Sequence, residues 1–306
     1  MSAKNVHDVW NTYWDNHTRH RQNERAGMPA NWQAIDSVQG SAWKEFARKL
    51  PPKARILDLA TGDGRVMTHV LDSRRDLKAL GIDRAAMLPT PPRGAKIKGG
   101  TEMESLPSPD SQFAAVTSQF GFEYGDMPKI SRQVARVLRP NGQFALMSHR
   151  EDGPIVAHNR KRREELDWAL EQEELLKLAH KSLGLRSAGI AALPPAVIAA
   201  PEKGAALFGK GSAASQIAEA IRQTLHLGRQ DSAANVGALL DAIGKKAANE
   251  LGRIASLEVA ARAISDRELL LGTLGDAGFE LESERELVSD LSPKPFADFR
   301  IFRLTT

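Results

Sequence analysis

Residues 56–64, ILDLATGDG, carry an apolar run straight into a glycine turn, and residues 80–83, LGID, answer with a second apolar run that ends on an acid. An apolar strand, a glycine turn, a helix and a second strand closing on a carboxylate are how a parallel α/β sheet builds a nucleoside site. Gly62 and Gly64 supply the turn, because a residue without a Cβ tolerates positive φ and lets backbone approach a ligand. The helix expected from about Arg65 to Leu71 aims its free amides and positive dipole end at whatever sits above that turn. Asp83, at the end of the second strand, suits a ribose diol, since an ionised carboxylate accepts two hydroxyl hydrogen bonds.

Spacing separates the two ligand classes that use such a turn. A dinucleotide fingerprint needs a third Gly or Ala three residues after the second glycine, where the helix packs tightly under a pyrophosphate; here that place holds Met67. The Asp58-x-Ala60-x-Gly62-x-Gly64 pattern instead resembles motif I of the class I S-adenosylmethionine-dependent methyltransferases, of the type 11-like kind, with Ala60 in place of the usual first Gly. Further landmarks follow in the family's order. Residues 102–107 (EMESLP) and 110–116 (DSQFAAV) resemble its acidic adenine loop and fourth strand, with Glu102 where Asp is usual. Residues 136–144 (RVLRPNGQF) resemble its helix-to-fifth-strand signature, with Asn141 in place of a Gly. Residues 270–304 read helix, strand, strand and resemble its closing helix and antiparallel hairpin.

The resemblance implies an α/β fold: a Rossmann-like seven-stranded mixed sheet whose last strand inserts between the fifth and sixth. It also implies S-adenosyl-L-methionine as cofactor. Asp58, Ala60, Gly62 and Gly64 are then expected at the methionyl part, Asp83 at the ribose, and Arg84 beside the adenine. Glu102 and Met103 are expected at the adenine amino group and ring, and Ser118 and Gln119 at the methionyl end.

Outside the sheet the chain divides into an N-terminal helical cap (1–50), a core (51–150), a helical insertion (151–265) and a closing helix with the last two strands (266–306). In the cap, Val6, Val9, Trp10, Tyr13 and Trp14 share one helical face, and a helix over residues 41–50 is stopped by Pro51 and Pro52. Aromatic residues there serve either to cover the cofactor or simply to cap the sheet. The insertion reads as one charged helix over 154–183, a Pro/Gly/Ala-rich connection over 184–212 and a helical array over 213–264. It is expected to act as an acceptor lid, or as a homodimerisation arm or scaffold. The loop at residues 89–93 is assigned no chemistry.

Composition adds limits. A chain of 306 residues, 42% hydrophobic, can bury a full α/β core. It has no Cys, which excludes disulfides and thiolate chemistry. No signal-peptide pattern and no run of about 18 apolar residues is present, so a soluble cytoplasmic protein is expected. The net charge of +4 is interleaved with acids, which argues against nucleic acid as partner. His7, His17 and His20 lack the spacing of a metal site, and Arg19, Arg21 and Arg25 read as a solvated face; no metal is expected.

A sulfonium methyl is already electrophilic, so the protein must hold the nucleophile in line, exclude water and give an acidic acceptor somewhere to send its proton. His149, directly after the fifth strand, is a candidate base near neutral pH, as are Glu123 and Tyr124 after the fourth; each also suits a purely structural role. The Ser118-Gln-Phe-Gly-Phe122 segment lacks the Pro-Pro-aromatic turn of methyltransferases acting on base amines, and its FGF loosely resembles quinone C-methyltransferases. The expected activity is methyl transfer to a small organic acceptor, O- or C-directed. A nucleic-acid or protein methyltransferase, and a non-catalytic S-adenosylmethionine-binding regulator, are the alternatives.

Overall fold

The computed structural model describes residues 30–186, 192–290 and 292–305. The expected cap helix around Val6 to Trp14, the His7/His17/His20 group and Arg19, Arg21 and Arg25 lie outside the described residues. The chain forms two compact units, one holding the described residues up to Ala157 together with those from Ser256 onward, the other His158–Ala255.

In the first unit, helix α1 (Ala30–Lys49) leads into β1 (Arg55–Leu59), α2 (Arg65–Ser73), β2 (Lys78–Ile82), β3 (Ala95–Lys98) and β4 (Phe113–Gln119). A 3-10 turn (Phe122–Tyr124), α3 (Met127–Val137) and β5 (Leu138–His149) follow. The seven strands are ordered β3-β2-β1-β4-β5-β7-β6, with β6 (Phe279–Ser289) and β7 (Ser292–Leu304) antiparallel to each other and β7 antiparallel to β5. The remaining pairings are parallel. This is the mixed sheet that the class I resemblance implies, with the last strand inserted between the fifth and sixth.

The central strands β1 and β4 are buried on both faces because they are apolar at successive positions, and successive side chains point to opposite sides, whereas the edge strands β3 and β6 are largely exposed. Ile56, Ala115, Ala145 and Ile301 join Trp43 and Phe46 of α1 and Val66 and Val70 of α2 in one core. Leu57, Val116, Phe144 and Phe302 join Ile130 and Val134 of α3 in the other, which also takes Leu270 and Leu274 of the closing helix α9 (Arg267–Gly275). Asp126 and Asp266 cap α3 and α9, each side chain accepting a backbone N–H of the first turn.

Helix α1 begins eleven residues earlier than the stretch expected from Pro51 and Pro52, at Ala30 rather than 41. No proline interrupts residues 30–49, and Ile35 and Trp43 lie in one apolar stripe against the sheet.

The second unit departs further from expectation. The single helix expected over 154–183 is two, α4 (Pro154–Asp167) and α5 (Leu175–Arg186), separated by a π-helical turn at Trp168–Gln172. There the Glu173 N–H reaches back to the Trp168 carbonyl at 2.9 Å, and Glu174 adopts φ 47°, a left-handed conformation that ends a right-handed helix. The wide turn lets Trp168 bury its indole in this unit's own core, edge-on to Phe208 at 5.8 Å. The connection over 184–212 contains a helix as well, α6 (Pro195–Phe208): Ala-rich sequence favours helix, and a proline in the first turn costs no hydrogen bond. Helices α7 (Ala213–Leu227) and α8 (Ala233–Ser265) complete the array, with α8 running on into the first unit. The independent unit is thus narrower at both ends than 151–265. Among the described residues no helix is long and apolar enough to cross a membrane.

Candidate active site

The glycine turn between β1 and α2 is assembled from below by a buried acid. Asp58 lies directly opposite Thr117 in the β1–β4 register, and the Thr117 hydroxyl donates to Asp58 Oδ1 at 2.7 Å while the Thr61 hydroxyl donates to Oδ2 at 2.6 Å. Burial pushes the Asp58 carboxyl up to about 7, the two hydroxyl donors pulling against it and the Asp83 and Asp63 carboxylates adding to it. Asp58 is 1% exposed, and both its carboxyl oxygens are engaged by threonine hydroxyls that fix Thr61 and so the turn.

The turn itself is left-handed three times over, at Ala60 (φ 50°), Gly62 (φ 51°) and Gly64 (φ 75°). That explains why glycine is usual where this chain has Ala60, and the same holds for Asn141, at φ 61°, since Asn tolerates this region better than most residues. Asp83 closes the turn from β2: its Oδ2 accepts the Gly62 N–H and its Oδ1 the Ala85 N–H, both at 2.9 Å. Burial raises the Asp83 carboxyl above the ordinary aspartate value against those two amides. Each oxygen keeps a second lone pair, so the carboxylate can still accept ribose hydroxyls.

Opposite the turn lies the loop after β4. A Cβ built on Gly121 would come within 2.4 Å of the Ala60 Cβ, so the two backbones approach as closely as a missing side chain allows. One on Gly64 would meet Pro92 at 2.8 Å, which brings the 89–93 loop, assigned no chemistry from sequence, against the turn. A left-handed glycine turn, a buried acid at its rim and a cleared backbone contact across it fit S-adenosylmethionine.

The remaining expected cofactor residues divide. Ser118 is fully buried and its hydroxyl accepts the Phe122 N–H at 3.1 Å, capping the 3-10 turn. Gln119 turns toward α1: its Oε1 accepts the Trp43 indole N–H at 2.5 Å and its amide donates to Gln39 at 3.3 Å. Arg84 and Glu102 pair at 3.5 Å, both partly exposed, and Met103 packs against the core that contains Leu57 and Ile82.

The three expected catalytic residues come together. His149 Nδ1 lies 2.9 Å from Glu123 Oε1, and the His149 backbone N–H donates to the same oxygen at 3.0 Å. The Tyr124 ring stands edge-on to the imidazole, 6.1 Å between centroids. Glu123 is buried and among the described residues its Oε2 has no hydrogen-bond partner, an arrangement proteins rarely retain without a use. Phe120 stacks on the imidazole at 4.1 Å and 25°. An imidazole with one nitrogen held by a carboxylate is an arrangement that can serve general-base catalysis. Sequence reasoning passed over Thr61, Thr117 and Trp43, and noted Phe120 and Gly121 only as part of the FGF segment, with no role given to either. Among those passed over, Thr117 was legible as a polar residue inside an apolar strand.

Residues 33–183 match a family described as a methyltransferase domain. The demethylmenaquinone methyltransferase of Thermus thermophilus is 34% identical over 111 residues, covering 34% of this chain and 50% of that protein. A 2-phytyl-1,4-naphtoquinone methyltransferase of Synechococcus elongatus is 27% identical over 129 residues, 37% of this chain and 55% of that one. The chain thus spans about half the length of these curated relatives. Among solved structures, a SAM-dependent methyltransferase of Thermotoga maritima titled as a possible histamine N-methyltransferase aligns over 96% of this chain and 99% of its own, at 13% identity and TM-score 0.46.

Proposed function

The chain is a class I S-adenosylmethionine-dependent methyltransferase by the family match over residues 33–183 and by its sheet, and from that premise we propose that it transfers a methyl group to a small organic acceptor bearing an acidic hydroxyl, on oxygen or on a carbon that the hydroxyl activates. One observation carries this reading. The consecutive residues Phe120 and Gly121 touch, respectively, the imidazole of His149 and the Ala60 of the glycine turn, so a fixed base and the cofactor turn share one short loop.

S-adenosylmethionine supplies an electrophilic methyl on a sulfonium. The chain supplies the rest. Asp83 would hold the ribose, the turn at Ala60, Gly62 and Gly64 would hold the methionyl part through its backbone, and Gly121, lacking a side chain, leaves room beside Ala60. Glu123 holds the proton of the resting imidazole on Nδ1, which leaves the Nε2 lone pair to take the acceptor's proton as the nucleophile attacks in line; the carboxylate then stabilises the imidazolium that results. Most amines also shed a proton on methylation, so the preference for a hydroxylic acceptor comes from the names of the quinone-methyltransferase relatives rather than from the pair. That one relative is named for demethylmenaquinone and another for 2-phytyl-1,4-naphtoquinone makes 1,4-naphthohydroquinone a suitable first probe.

Calorimetry with S-adenosylhomocysteine and with NAD is the first test, the expected result being binding of the former alone. Incubation with methyl-labelled S-adenosylmethionine and 1,4-naphthohydroquinone, and then with small-molecule extracts, follows. Binding without a labelled small-molecule product from any of these overturns the enzymatic reading in favour of a non-catalytic binder, and label in RNA or protein overturns the choice of acceptor.

A further inference from the structure

We infer that Phe120 is a positioning residue for His149, held in a strained backbone conformation by an anchor that runs back to Trp43. The inference rests on His149 being the base. Phe120 has φ 54°, a region costly for a residue with a bulky side chain and found mainly where surrounding structure enforces it. The enforcement is visible on both sides. Before it, the Gln119 side chain is gripped by the buried Trp43 indole N–H and by Gln39, and the Phe120 N–H is itself bonded to the Met147 carbonyl at 2.8 Å. After it, Gly121 abuts Ala60 and the Ser118 hydroxyl caps the turn at Phe122.

The result of that conformation is the stack on His149. Glu123 holds one nitrogen of the imidazole through a single hydrogen bond, which sets that edge of the ring and leaves its tilt to the packing around it. A flat ring 4.1 Å away and only 25° from parallel limits that tilt, and Tyr124 stands edge-on to the imidazole at 75°. The direction of the Nε2 lone pair is therefore set jointly by a carboxylate and an aromatic face. Trp43, edge-on to Phe299 at 5.0 Å, ties this geometry to α1 and β7 rather than to the loop alone.

The test uses the full chain labelled with 15N and 13C in histidine, and the variants Phe120→Leu, Phe120→Gly and Phe120→Tyr. Glycine accepts the left-handed backbone without strain, so Phe120→Gly folds even if Phe120→Leu does not. In the ligand-free protein, the leucine and glycine variants are expected to broaden the His149 ring resonances and mix its tautomers, while S-adenosylhomocysteine affinity stays within about twofold. Phe120→Tyr is expected to restore the single tautomer, which a merely space-filling role would not demand over leucine. With an acceptor in hand, kcat falls about tenfold or more in the leucine and glycine variants with KM little changed, as expected for a misaimed base. A wild-type His149 spectrum in Phe120→Gly, or no rescue by tyrosine, overturns the inference. Wild-type turnover by His149→Ala would instead overturn the base assignment, and the spectra of the ligand-free protein still decide whether Phe120 orders the ring.

Discussion

His149 and Glu123 are joined twice through one oxygen: Oε1 of Glu123 accepts the backbone N–H of His149 at 3.0 Å and lies 2.9 Å from its Nδ1. The first bond pins the carboxylate to the end of β5, and the second pins the imidazole to the carboxylate. His149→Ala is therefore expected to lower kcat by about 10²- to 10⁴-fold, the usual contribution of a general base, with S-adenosylhomocysteine affinity unchanged. Glu123→Gln keeps an acceptor for both bonds but loses the charge that stabilises the imidazolium, and about a tenfold loss of kcat is expected. Steady-state rates with labelled donor check both. Equal rates in wild type and His149→Ala would remove the base.

Asp83→Ala leaves the buried Gly62 amide without a partner as well as removing the ribose acceptor. Two effects are expected together: S-adenosylhomocysteine binding weaker by roughly 10- to 100-fold, and a stability loss of about 1–3 kcal/mol. Calorimetry and denaturant melts measure them separately. An unchanged dissociation constant would dissociate Asp83 from the cofactor.

Asp58 gives stability a pH dependence of unusual sign. Its carboxyl is pushed up to about 7 by burial, whereas in the unfolded chain it titrates near 4. Between those values the native state holds a proton that the unfolded state has released. This contribution is therefore fully present below about pH 4 and is lost as pH rises to about 7, with a slope of at most about 1.4 kcal/mol per pH unit. Asp58→Asn should flatten that segment of the profile, as read from urea melts at pH 5, 6, 7 and 8. A slope identical in the two proteins would show that Asp58 does not bind the proton.

Ala60 and Gly121 form a reciprocal pair. Ala60→Gly removes a left-handed Cβ and is expected to stabilise by about 1 kcal/mol after the entropy of an added glycine, a rise of some 2–4 °C in Tm. Gly121→Ala puts a Cβ 2.4 Å from the Ala60 Cβ and is expected to lower Tm and weaken cofactor binding. In the Ala60→Gly background the clash partner is gone, so the Gly121→Ala cost should shrink. Additive Tm shifts in the double variant would rule out the contact.

Much of this was legible from residue order. The strand-turn-helix reading of residues 56–64 and the acid at Asp83 depend on local apolar runs and on a motif whose spacing is covalent, so they survive into the fold; the inserted last strand was implied by the family resemblance alone and is what the sheet order shows. The insertion was harder to read: an Ala-rich segment with prolines at 194, 195 and 201 reads locally as a connection, yet residues 195–208 gain enough packing to form α6. The break at Trp168 likewise has no local signal, because burying one indole in the unit's own core decides it.

Residue order alone carried the alternation of strands and helices, the glycine turn and the chemical types of the three candidate groups, because each is written in neighbouring residues, while the strand order came from resemblance. What those groups do to one another was set by the fold. It buried Asp58 beneath the turn between two threonine hydroxyls, turned Gln119 away toward Trp43, and stacked Phe120 on His149. Those outcomes come from contacts between residues far apart in the chain, where packing and hydrogen-bond satisfaction, not spacing, choose the partner.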